Sequence, residues 1–135
     1  MGLDGILKFK HFALKSDNQD FKVMAWIGDA VWNLMIKEYL YNCRCKMSLF
    51  KMDEYAKIMT SAEFQKKLFD LVEQITGGVL KKVRNNWKRR YKFDKEASAF
   101  EVLVAYLYFE GATGELAFLL REAVKLADLG NKCRT

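Results

Sequence analysis

Val23-Met-Ala-Trp-Ile-Gly-Asp-Ala-Val-Trp-Asn-Leu-Met-Ile36 is almost wholly apolar, yet a single carboxylate, Asp29, sits at its centre. A helix that is hydrophobic all round is a buried helix. The run is therefore expected to be the buried middle of a helix over about residues 21–41. An ionised carboxylate in such surroundings is costly unless it is paired, hydrogen-bonded or bound to a metal ion. What Asp29 faces is thus the first question the sequence poses.

A second stretch offers an answer. Ala97-Ser-Ala-Phe-Glu-Val-Leu-Val-Ala-Tyr-Leu-Tyr-Phe109 is just as apolar and also carries one charge, Glu101. Two core helices, each with one acid, satisfy both acids if they cross and share a cation. Hard oxygen ligands completed by several waters describe a magnesium site. The alternative keeps each acid as a structural group bonded to an Arg or a backbone amide, and at this point both stay open.

Working outward, the 135 residues are 51% hydrophobic, with no Pro and only eight Gly. That length suits one domain, 1–135, with a core over about 20–129. The scarcity of turn residues favours an all-α chain of about seven helices. No apolar run approaches a membrane span, and the Met1 end lacks the pattern of a secretory signal. Cys43, Cys45 and Cys133 are an odd number with a Cys-x-Cys spacing, which argues against a disulfide framework. A zinc site is disfavoured, since His11 is the only histidine. The expected setting is reducing: a bacterial cytoplasm, or the matrix or stroma of an organelle.

In chain order, residues 3–14 suggest a short helix or docking arm. Ser48 is placed to cap a helix to residue 58, and Thr60 or Ser61 to cap another to residue 75. The stripe Ser61, Phe64, Leu68, Leu71, Val72 and Ile75 is amphipathic, and Thr76-Gly-Gly78 is a helix stop. A short basic helix follows from Val79, with Val79, Leu80, Val83 and Trp87 as its apolar side. Asp94 is placed to cap the helix of Glu101, which should reach Glu110. Gly111-Ala-Thr-Gly114 reads as a tight turn before a last helix over about 115–129.

The formal net charge is +6. Between residues 81 and 92 lie Lys81, Lys82, Arg84, Lys88, Arg89, Arg90 and Lys92, with no acid among them. Removing these seven positive charges from +6 leaves the rest of the chain at −1. Positive charge is therefore a local feature, as in an electrostatic footprint for nucleic acid. A merely solvated basic face is the plainer alternative.

Together these motifs resemble the ribonuclease III catalytic domain, above all its short mini-ribonuclease III form. Ala25 to Trp32 is similar to the family's Gly-Asp-Ala-Val helix, and Ser98 to Tyr108 to its second, Phe-Glu-containing signature. Ser61-Ala62 with Gln65 resembles a Ser-Ala-x-x-Gln element, and Arg84-Asn85 the Arg-Asn of the basic helix. The resemblance spans most of residues 20–128. It implies an all-helical, two-fold dimeric endoribonuclease that cuts double-stranded RNA with Mg2+, Mn2+ being able to substitute, and it suggests ribosomal RNA precursors as substrate. It further implies that Asp29 and Glu101 are the catalytic metal ligands. Lys81, Lys82, Arg84, Asn85, Lys88, Arg89, Arg90 and Lys92 are expected to meet RNA.

This chain departs from the family in places. Ala25 and Ser98 stand one turn before each acid, where full-length relatives hold two further carboxylates and mini forms do not. The segment from Arg84 to Glu101 is shorter than usual, and Val83 and Trp87 replace smaller residues. Asn33, one turn after Asp29, and Asp94 are candidate helpers to the acids. Trp26, Trp32, Phe100 and Tyr108 are more large apolar surface than a small monomer buries easily, so some are expected at a homodimer interface. The competing function is a catalytically inactive relative that binds RNA or the ribosome. A helical interaction domain with no nucleic-acid role would leave both the acids and the basic cluster unexplained.

Overall fold

A computed structural model of the chain describes residues 3–8, 18–43, 47–78, 85 and 96–128. Among them are six α-helices with defined limits: α1 (Asp4–Lys8), α2 (Asn18–Asn42), α3 (Leu49–Met59), α4 (Ala62–Ile75), α5 (Glu96–Phe109) and α6 (Thr113–Leu126). Asn85 is also helical, and no strand occurs among the described residues. The all-α expectation holds. None of the described helices is long and apolar enough to cross a membrane.

The helix limits follow from local chemistry. Ser48 Oγ accepts the Lys51 amide at 3.2 Å and so caps α3. Ser61 Oγ accepts the Phe64 amide at 3.2 Å and caps α4; its hydroxyl also donates to the Ile58 carbonyl at 2.7 Å. One residue thus closes α3 and opens α4. At the far end of α4 the Gly78 amide reaches back to the Glu73 carbonyl at 3.1 Å. Gly77 and Gly78 sit at φ of +71° and +89°, a backbone that a side chain would strain.

The last helix begins two residues earlier than expected. Gly111 alone, at φ +66°, turns the chain, and the Leu116 amide already bonds to the Ala112 carbonyl at 3.1 Å. Gly114 is therefore released into the first turn of α6. The half-buried Glu115 beside it accepts the Gly5 amide at 2.7 Å, which ties α1 down.

The most extensive packing is between α2 and α5, and α4 and α6 both pack against α5. From Ala99 to Leu107 every residue of α5 is buried except Glu101. The buried-all-round helix is thus α5, and α2 corrects the expectation made for it. Only one side of α2 is buried, through Phe21, Trp32, Ile36 and Leu40. Val23, Trp26, Ala30 and Leu34, three or four residues apart, lie exposed, Trp26 at 74%. Of the four large apolar residues among which an interface was expected, two are core residues. Trp32 and Phe100 are fully buried and meet edge to face at 4.9 Å. Trp32 Nε1 also donates to the Met59 carbonyl at 2.9 Å, which satisfies the end of α3. The other two, Trp26 and Tyr108, are exposed.

Candidate active site

The crossing of α2 and α5 is unusually close at one point. Gly28 is buried against the main chain of Glu101, and a Cβ there would overlap the Glu101 carbonyl. Only a residue without a side chain lets the two backbones approach so far. The next residue along α2 is Asp29, so the contact that needs Gly28 also delivers Asp29 to Glu101. The Gly-Asp pair is one device: the first residue closes the gap and the second fills what remains with a carboxylate.

Asp29 and Glu101 are both half-buried, and their side chains hydrogen-bond to each other. Two carboxyl groups placed side by side oppose each other's ionisation. Burial pushes the Glu101 pKa from 4.5 up to about 8, with the hydrogen bond to Asp29 and the negative charge of Asp29 adding to the rise. The Gln65 side chain acts the other way, favouring the ionised carboxylate. Among the described residues the ion pairs are short-range helix pairs such as Lys57 with Asp53 at 3.2 Å, and none reaches either acid. The reading in which an Arg satisfies each acid therefore gains no support from them.

Asn33 is bonded as the helical spacing suggested. Its Nδ2 donates to the Asp29 main-chain oxygen at 2.8 Å and to Asp29 Oδ1 at 3.2 Å. Ala25 and Ser98, the non-carboxylate positions one turn before each acid, are half-buried. No third His, Cys, Asp or Glu joins the pair among the described residues. Two carboxylates with water completing the shell is a donor set that suits a small, hard divalent cation, which keeps several of its waters.

Gln65 was legible only as part of a motif, not as a member of the site. It is fully buried on α4 and lies three and four residues before the buried Leu68 and Phe69. A polar residue within an otherwise apolar stripe is the signal that marks it. Of the expected RNA-contacting residues only Asn85 is described; it is helical and exposed. Lys81, Lys82, Arg84, Lys88, Arg89, Arg90 and Lys92 lie outside the described residues, as do Asp94, His11, Cys45 and Cys133. An apolar groove of about 360 Å³ between α2 and α3, lined by Lys37, Leu40, Tyr41, Leu49, Met52, Asp53 and Ala56, begins about two helical turns beyond Asp29. It is separate from the acid pair.

The sequence profile of the Ribonuclease III domain matches residues 22–112, a span that contains both acids. A Mini-ribonuclease 3-like protein of Ilyobacter polytropus is 28% identical over 112 residues, covering 75% of this chain and 86% of that protein. The Mini-ribonuclease 3 of a Thermoanaerobacter species is 27% identical over 118 residues, covering 78% and 81% respectively. No solved structure gives a significant match.

Proposed function

The chain belongs to the ribonuclease III family, and from that premise we propose that it is a metal-dependent endoribonuclease of the mini-ribonuclease III kind, hydrolysing double-stranded RNA. The observation that carries this reading is the acid pair: two lone carboxylates on two apolar helices, brought together at Gly28 with no positive group beside them among the described residues. Asp29 and Glu101 would hold the ion, Mg2+ in the first place with Mn2+ able to replace it. When bound, such an ion acts as a Lewis acid that eases deprotonation of an attacking water and steadies the departing oxygen. Asn33 keeps Asp29 from turning away. Residues 1–135 form one domain in this reading, working in a bacterial cytoplasm or an organelle matrix or stroma, with ribosomal RNA precursors as the proposed substrate.

The test is cleavage of a long double-stranded RNA with and without Mg2+. Cation-dependent cutting is expected. Binding without cutting would favour the inactive RNA-binding relative, and neither would leave only the fold in common.

Lys81, Lys82, Arg84, Asn85, Lys88, Arg89, Arg90 and Lys92 are the proposed RNA contacts. The narrow major groove of A-form RNA leaves phosphates and 2′-hydroxyls to be recognised, a task suited to Lys and Arg. Each phosphate neutralised steepens the salt dependence of binding. With about four such contacts, affinity for a duplex is expected to fall by roughly 150-fold between 50 and 200 mM salt. A flat response in a filter-binding titration would remove these residues from the interface.

A homodimer is proposed to place two sites about a two-fold axis, one for each strand. The exposed stripe Val23, Trp26, Ala30 and Leu34 on α2 supports it, because apolar surface aligned on one helix face marks an interaction site. Light scattering at micromolar concentration should give twice the chain mass, and Trp26→Glu should halve it. A monomeric wild type would refute the dimer.

A further inference from the structure

Asp29 is the only charged residue between Val23 and Ile36, and Asn33 carries the only amide side chain. The two stand one helical turn apart on α2, and one nitrogen joins them. Asn33 Nδ2 donates to the Asp29 main-chain oxygen at 2.8 Å and to Asp29 Oδ1 at 3.2 Å. An amide nitrogen has two N–H bonds, so it can serve both acceptors at once. A carboxylate oxygen is thereby tied, through Asn33, to the main chain of its own residue, and the group cannot swing freely on its bond to the helix. Local preference does not explain the asparagine, which is a weaker helix former than alanine and stands between the apolar Trp32 and Leu34.

How a carboxylate presents its oxygens decides which cation a sparse site prefers. Ca2+ gathers about six to eight oxygens and often takes both from one carboxylate, whereas Mg2+ keeps several waters and binds through one or two carboxylates. No third His, Cys, Asp or Glu joins Asp29 and Glu101 among the described residues, so selectivity depends on how these two are held. Oδ1 of Asp29 is already engaged by the Asn33 amide, and the carboxylate is not free to turn both oxygens toward a large ion. Contact through the other oxygen alone is favoured. We propose that Asn33 is a positioning residue that sets metal specificity: by holding Asp29 to single-oxygen contact, it makes the acid pair select a small, water-retaining divalent cation over a larger one such as Ca2+. This rests on the metal reading of the acid pair given above and goes beyond it, since two unrestrained carboxylates would accept either ion.

The experiment is a Mn2+ titration of the full chain, following the free-ion electron paramagnetic resonance signal, and then displacement of the bound Mn2+ by Ca2+. It is run on wild type, Asn33→Ala, Asn33→Leu and Glu101→Gln. Alanine removes the amide and favours the helix; leucine removes it at similar volume, and if one of the two loses the helical circular dichroism of wild type the other decides. Mn2+ binding is expected to weaken about 10-fold in both Asn33 variants, as loss of a hydrogen bond behind a metal ligand typically does, while Ca2+ binds as in wild type or more tightly. The ratio of the Ca2+ Kd to the Mn2+ Kd therefore falls at least about 10-fold. An unchanged ratio overturns the proposal, whether both affinities drop together, as a merely structural role would have it, or neither moves. A wild type that prefers Ca2+ overturns it too. If wild type takes up no Mn2+, or Glu101→Gln binds it as wild type does, the metal reading itself fails and takes this proposal with it.

Discussion

Gly28→Ala is expected to lower the Tm by about 10 °C or more, a loss of roughly 3 kcal/mol or more in a domain of this size. Helix propensity alone argues the opposite, since alanine is favoured over glycine inside a helix by about 1 kcal/mol. The tertiary contact decides the sign. The added methyl would overlap the Glu101 carbonyl, a main-chain atom inside α5 that has no rotamer to escape into. The helices must therefore part along the most extensive packing surface of the fold. Total stabilities of about 5–15 kcal/mol leave little margin for that.

Gly114→Ala is the control. It too is helical, but nothing lies within 4 Å of the added methyl, so it should be neutral or slightly stabilising. Thermal unfolding followed by circular dichroism checks both. A Gly28→Ala Tm within about 2 °C of wild type would show that the two backbones can separate without cost.

Glu101→Gln should destroy activity and raise stability. In the folded chain Glu101 holds its proton up to about pH 8, against 4.5 for an ordinary glutamate. Between those values the folded state binds more protons than the unfolded state, so stability falls as pH rises through that window. Below about pH 4.5 both states are protonated and the slope vanishes. Glutamine mimics the protonated side chain at every pH, so the variant should lack this slope. By pH 8 it should exceed wild type by on the order of 1–2 kcal/mol. Full conversion of the shift would give more, but the pair is partly open to water and the interaction is screened.

Asp29→Asn should flatten the slope in part, because it removes the neighbouring charge but not the burial. Both variants should lose RNA cleavage by about 1,000-fold, the rate equivalent of several kcal/mol of transition-state stabilisation. Mg2+ at pH 8 should restore stability to wild type by mass action and leave Glu101→Gln unmoved. Urea unfolding at pH 5 and pH 8 is the measurement. Equal wild-type stability at the two values, or a Glu101→Gln protein weaker than wild type at pH 8, would contradict the arrangement described for the pair.

Much of this is legible in the sequence alone. Solitary carboxylates in two apolar runs marked Asp29 and Glu101, and the amphipathic stripes with Ser48, Ser61 and the Gly77-Gly78 stop set helix limits to within a few residues. Those features are local: a cap, a stop and a periodicity each depend on atoms a few residues apart. Two things were misread. α2 looked buried all round, but an apolar residue reads the same whether it faces the core or an open face, so Trp26 and Trp32 could not be told apart by composition. Gly114 looked like part of a turn, because the conformation of Gly111 is not written in its identity.

By itself the sequence determined that the protein is helical, that its apolar runs carry two unmatched acids, and that its positive charge is concentrated in one segment. Tertiary structure alone decided which helix lies at the centre, that Gly28 is a point of contact, and that Gln65 is buried with an unfilled donor. The reason is physical. Propensity and charge are properties of single residues and near neighbours, whereas a close approach, a pair of facing acids and an unfilled donor exist only where folding brings together groups from distant parts of the chain.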